Sequence, residues 1–79
     1  MSEAKLEKQR VKELEALGCI VLKAEMLAPG FPDRMILWPG GRVTFEEYKV
    51  RPNDTTPLQE RWIARLNAQG LVAEVVYFD

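Results

Sequence analysis

The stretch Gly30 to Val50, GFPDRMILWPGGRVTFEEYKV, constrains the fold more than any other part of the chain. Two strand-like runs, one through Met35-Ile36-Leu37-Trp38 and one from Val43 to Val50, flank Pro39-Gly40-Gly41-Arg42. Turn residues between two such runs predict a β-hairpin with strands over Arg34–Trp38 and Val43–Val50. Side chains alternate across a strand, so Glu47 and Lys49 project from one face and Tyr48 from the other. Pairing across a two-residue turn at Gly40-Gly41 brings Asp33 opposite Lys49 or close to it. Two acids and a lysine therefore converge at the open end of the hairpin. Carboxylates brought this close repel unless a cation lies between them. A lysine beside them can pin a water or stabilise charge developing on a phosphate.

The remaining chain supplies helices and two more strands. Residues 2–17 read as an amphipathic helix, with Ser2 as N-cap, Glu3 in the first turn, and Leu6, Val11, Leu14 and Leu17 at helical spacing. Gly18 stops it. Cys19 to Lys23 is short, apolar and β-branched, hence a strand, and residues 24–32 form a loop with two prolines. After a polar loop at Pro52-Asn53-Asp54, Thr56-Pro57-Leu58-Gln59 carries Thr at the N-cap, Pro at N1 and Gln at N3 of a second helix. Its apolar face is Leu58, Trp62, Ile63 and Leu66; Gly70 closes it, and Leu71–Phe78 is the last strand. The order is α-β-β-β-α-β, without repeat, low-complexity tract or linker, so residues 1–79 read as one domain.

Composition narrows the chemistry. With no histidine, Ser-His-Asp and Cys-His triads and His-containing zinc sites are excluded. A metal ion would be held by oxygen ligands, which means Mg²⁺, Mn²⁺ or Ca²⁺. The formal net charge of −1 gives no global pull toward nucleic acid, so any such affinity must come from local basic clusters. No apolar run approaches the roughly 18 residues of a membrane span, and the charged start MSEAKLEKQR is unlike a signal peptide. One cysteine, Cys19, suits a reducing cytoplasm and reads as a small buried hydrophobe. A core of 79 residues is small enough to gain from self-association.

Pro32-Asp33, a hairpin, then Glu47-Tyr48-Lys49 resembles the PD-(D/E)xK nuclease signature, and the wider pattern resembles the virus-type replication-repair nuclease (VRR-NUC) family. The matching features run through nearly the whole chain in order: Glu3, Gly18, Lys23, Gly30-Phe31-Pro32-Asp33-Arg34, Pro39-Gly40-Gly41, Glu47-Tyr48-Lys49, Gln59 and Gly70. The resemblance implies an α/β fold with a restriction-endonuclease-like αβββαβ core, a mixed β-sheet flanked by helices. It implies metal ligation by Asp33, Glu47 and the backbone carbonyl of Tyr48, completed or tuned by Glu3. Lys49 would position the attacking water, and Gln59 would hydrogen-bond the water, the metal shell or a phosphate. The implied activity is Mg²⁺- or Mn²⁺-dependent hydrolysis of DNA phosphodiesters. Short members resemble homodimeric Holliday-junction resolvases, in a bacterial cell or a phage-infected host. Alternatives are a flap or duplex-end nuclease of the same fold, or a catalytically silent DNA-binding module.

Each residue also has a plainer reading. Asp33 can cap a turn after proline, Glu3 can serve the helix dipole, and Gln59 can complete a capping box. Lys23, Arg34 and Arg51 are DNA-contact candidates, though a cation at a strand end is more often a solvated residue. Trp38 and Tyr48 read as packing residues. Glu46 departs from the family, where an apolar residue is common; on the face opposite Glu47 it should be solvent-exposed or pair with an arginine, in this chain or across a dimer.

Overall fold

The computed structural model describes residues 2–79. Helix α1 (Glu3–Ala16) is followed by β1 (Ile20–Lys23), a 3₁₀ turn (Glu25–Leu27), β2 (Arg34–Leu37), β3 (Val43–Val50), α2 (Pro57–Ala68) and β4 (Val72–Phe78). The expected order αβββαβ is thus observed, with a 3₁₀ turn inside the first loop. The sheet order is β1-β2-β3-β4, antiparallel across the first two pairs and parallel between β3 and β4. That last pairing needs a crossover, which α2 provides. Among the described residues no helix is long and apolar enough to cross a membrane.

The hairpin turn differs from expectation. It takes three residues, Pro39-Gly40-Gly41: Trp38 N–H donates to the Arg42 carbonyl (2.8 Å) and Gly41 N–H to that of Trp38 (3.1 Å). Gly40 and Gly41 have φ of 92° and 95°, the left-handed region that a side chain would strain. The extra turn residue moves the register by one, so Arg34 pairs with Glu46 and Leu37 with Val43. Asp33 consequently comes level with Glu47 and Tyr48, not Lys49. Directly opposed residues share a face, so Arg34 joins Glu46 on one side while Glu47 and Lys49 face the other.

Each face is covered by one helix. Against α1 lies a core of Leu14, Cys19 and Ile36, with Val21 and Trp38 packed on it. Leu17, expected in this face, is exposed because the helix has already ended: the N–H groups of Leu17 and Cys19 both turn back to the Leu14 carbonyl. Against α2, Phe31 stacks edge-on with Phe45 (5.7 Å) and Trp62 (5.1 Å), and Trp62 Nε1 donates to the Pro29 carbonyl. Gly30 lets this loop approach α2; at φ 79°, a Cβ there would stand 2.6 Å from Leu58 Cγ.

Candidate active site

Glu47 lies on β3, flanked by β2 and β4, and is only 3% exposed. Its Oε2 accepts a hydrogen bond from Gln59 Nε2 (3.2 Å) and lies 3.8 Å from Lys49 Nζ. Its Oε1 is buried with no hydrogen-bond partner. Asp33 is fixed at the adjacent corner: its carbonyl accepts from Ala24 N–H (2.9 Å), and its Oδ2 accepts from Tyr48 N–H (2.8 Å). Burial, and then the negative charge of Asp33, push the Glu47 carboxyl up to about 8, with Lys49 opposing the shift. The site is short of positive charge.

Gln59 reaches Glu47 because its backbone is anchored. The Thr56 hydroxyl accepts from Gln59 N–H (3.2 Å), and Gln59 Oε1 accepts from Thr56 N–H (2.9 Å). This reciprocal cap uses the amide oxygen and leaves the NH₂ group to point at Glu47. The cap and the contact with Glu47 coexist in one side chain.

A buried carboxylate oxygen without a donor carries a desolvation cost that a cation would relieve. The two carboxylates at this corner are hard oxygen ligands of the kind that take Mg²⁺ or Mn²⁺. Among the described residues, no third acid completes a cluster of three around them.

The remaining sequence candidates lie elsewhere. Glu3 is exposed in the first turn of α1 and forms no hydrogen bond or ion pair with the cluster. One turn on, Glu7 Oε2 accepts from Arg34 Nε (2.8 Å) and contacts its Nη2 at 2.8 Å. Arg34 is therefore held in an ion pair. Lys23 is exposed at the end of β1, cross-strand from Arg34. Arg51 pairs with Asp79 (3.3 Å) and lies over the Tyr77 ring.

Glu46 is buried, so the solvent-exposed alternative does not hold. Arg10 of the same chain grips both its oxygens (3.1 and 2.8 Å), and the Tyr48 hydroxyl donates to it at 2.9 Å. Burial first, then Glu46, pushes the Tyr48 phenol up, and the hydrogen bond to Glu46 raises Arg10 further, so the phenol stays neutral and the guanidinium charged. Sequence reasoning missed Arg10 and Glu7. Their signal was present: Glu7, Arg10 and Leu14 fall at helical spacing on one stripe. Glu25 of the 3₁₀ turn was also missed, although its charge adds to the upward push on Glu47.

No family model matches the chain. Over 71 residues it is 38% identical to "Putative nuclease p44" of Acyrthosiphon pisum secondary endosymbiont phage 1, an alignment that takes in 86% of this chain and 74% of that protein. A solved structure described as "VRR_NUC domain" superposes with a TM-score of 0.85 at 30% identity, covering 95% of this chain and 83% of the other.

Proposed function

The chain belongs to the VRR-NUC nucleases, and from that premise we propose that it is a metal-dependent DNA endonuclease whose active site is Asp33, Glu47, Lys49 and Gln59. The observation that carries this reading is Glu47 Oε1, buried without a partner next to a second acid. Asp33, Glu47 and the Tyr48 carbonyl would hold the ion. A bound Mg²⁺ or Mn²⁺ would supply Lewis-acid polarisation of the phosphate and a lowered pKa for the attacking water.

The chain's own groups do the rest. Tyr48 N–H fixes one oxygen of Asp33, and Gln59 fixes one oxygen of Glu47, so both carboxylates are oriented before substrate arrives. Lys49, 17% exposed, presents an ammonium at the mouth of the site, where it can meet a phosphate oxygen or hold a water. The preferred substrate is branched DNA, most of all a four-way junction, cut by a homodimer whose two sites address two strands. We assign the activity to the cytoplasm of a bacterial cell or a phage-infected host, a reading that the similarity to a phage protein supports.

Labelled four-way junction, flap and linear duplex, each incubated with protein in Mg²⁺, Mn²⁺ or EDTA, test this. The junction should be cleaved in either metal and not in EDTA. Asp33→Ala and Lys49→Ala should each lower the rate by 10²-fold or more. Equal cleavage of linear duplex would sink the junction preference, and variants that cut like the parent would sink the site.

A further inference from the structure

We propose that the lysine-lined groove along α1 is the track along which this nuclease holds a DNA phosphate backbone. The proposal rests on the nuclease reading and extends it to residues outside the site. The chain has five lysines: Lys5, Lys8, Lys12, Lys23 and Lys49. Lys49 sits beside Glu47; among the described residues the other four form no ion pair, and all four are exposed. All four line one open groove of about 910 Å³ between α1 and the β1–β2 corner.

The placement is periodic. Lys5, Lys8 and Lys12 recur at helical spacing, so they form one row along the helix. At about 1.5 Å of rise per residue that row is about 10.5 Å long, and it offers three ammonium groups to the phosphates of one DNA strand. Of the groove's acids, Glu7 is already held by Arg34, Glu15 lies a turn beyond Lys12, and Glu25 stands at the active-site end. Cations therefore outnumber carboxylates along this face of a chain whose net charge is −1. The groove's lining is mostly charged, which suits a polyanion better than an apolar peptide.

Its position relative to the chemistry gives the row a purpose. Lys23 is the cross-strand partner of Arg34, and the next residue, Ala24, donates to the carbonyl of Asp33. The end of the groove lined by Lys23, Glu25 and Arg34 therefore borders the backbone of Asp33 at the sheet edge, while the Glu47 side chain lies on the opposite face. Phosphate contacts of this kind set register and affinity without reading sequence.

Binding measured in EDTA separates this track from catalysis. Anisotropy of a fluorescein-labelled duplex and of a labelled four-way junction is followed between about 50 and 200 mM KCl. The triple variant Lys5→Gln, Lys8→Gln, Lys12→Gln keeps good helix formers in α1. It should bind on the order of 10²-fold more weakly at about 100 mM salt, with a log–log salt slope shallower by about 2.7. A charge-matched control, Arg42→Gln, Arg61→Gln, Arg65→Gln, should shift binding far less. On the parent chain, bound DNA should shield Lys5, Lys8 and Lys12 from acetylation, read by mass spectrometry. Parent-like binding by the lysine variant, an equal loss in the control, or unshielded lysines would overturn the track. If the parent binds through these lysines but never cleaves in Mn²⁺, the nuclease reading fails and the track stands. If it neither binds nor cleaves, both fail.

Discussion

Arg10→Met offers the sharpest test of how the hairpin tolerates an acid in its interior. Glu46 is 8% exposed at its side chain and takes two hydrogen bonds from Arg10, which is itself 29% exposed. Methionine keeps most of the arginine stem's volume but removes the charge, leaving Glu46 with the Tyr48 hydroxyl alone. Removing one partner of a buried pair costs about 3–5 kcal/mol, because the other charge remains desolvated. Water can reach the arginine end, which brings the expectation to about 2–4 kcal/mol. A chain of this size is stable by roughly 4–12 kcal/mol. The loss is therefore a large fraction of the total, and at about 4–8 °C per kcal/mol it lowers Tm by at least about 8 °C.

The assay is urea unfolding followed by circular dichroism and tryptophan fluorescence, with a double variant, Arg10→Met with Glu46→Leu, alongside. Replacing both partners by apolar groups removes the uncompensated charge, so the double variant should recover most of the loss. A cost below about 1 kcal/mol for Arg10→Met would show that the pair is screened like a surface bridge. Additive losses in the double variant would be as damaging, because they would show no energetic coupling between Arg10 and Glu46.

Glu47 predicts a pH dependence. Its folded value of about 8 lies above the ordinary 4.5, so between these limits the folded chain holds more protons than the unfolded one. Stability in EDTA should fall as pH rises through that window, and Glu47→Gln should remove the fall; identical slopes in parent and variant would refute it. For the same reason Mn²⁺ binding should release protons and tighten with pH, read by calorimetry in buffers of different ionisation enthalpy. Gly30→Ala meets both a positive φ and Leu58, and should cost on the order of 2 kcal/mol or more in urea unfolding; adding Leu58→Ala should relieve the clash but not the backbone strain. In α1, Glu3 makes no contact with the Asp33–Glu47 pair, whereas Glu7 holds Arg34, the residue next to Asp33 in the chain. Cleavage should fall several-fold in Glu7→Gln and stay within about twofold in Glu3→Gln, and the reverse ranking would restore Glu3.

Much of the scaffold was legible because it rests on local rules. The Thr56–Gln59 cap, the Gly-Gly turn, the apolar face of α2 and the αβββαβ order all follow from residue type and period. Register was not, because it depends on whether Pro39 lies inside the turn or ends the strand, and the closing bond from Trp38 N–H to Arg42 decides that only in three dimensions. The miscount mattered. It set Asp33 against Lys49, where the observed pairing brings it level with Glu47. Polar residues on a helix read as solvated unless their partners on the facing strand are known, so the spacing of Glu7 and Arg10 with Leu14 did not by itself identify what they meet.

The two adjacent acids of β3 show how structure separates roles that sequence leaves level. Glu46 and Glu47 are the same residue on one strand, 6% and 3% exposed. Alternation sends them to opposite faces. On one face Glu46 meets Arg10 and Tyr48, which together engage both its oxygens. On the other, Glu47 meets Gln59 at one oxygen only, with a second carboxylate, Asp33, beside it. If burial alone explained these acids, both would be furnished with donors, since leaving one without them costs stability. Glu46 is so furnished and has a structural role. The missing donor at Glu47 is tolerated where Lys49 and Asp33 also converge, as expected of a carboxylate kept for chemistry. A Glu46→Gln exchange should therefore spare the cleavage rate per folded molecule, and Glu47→Gln should abolish cleavage while, in EDTA above neutral pH, making the chain more stable.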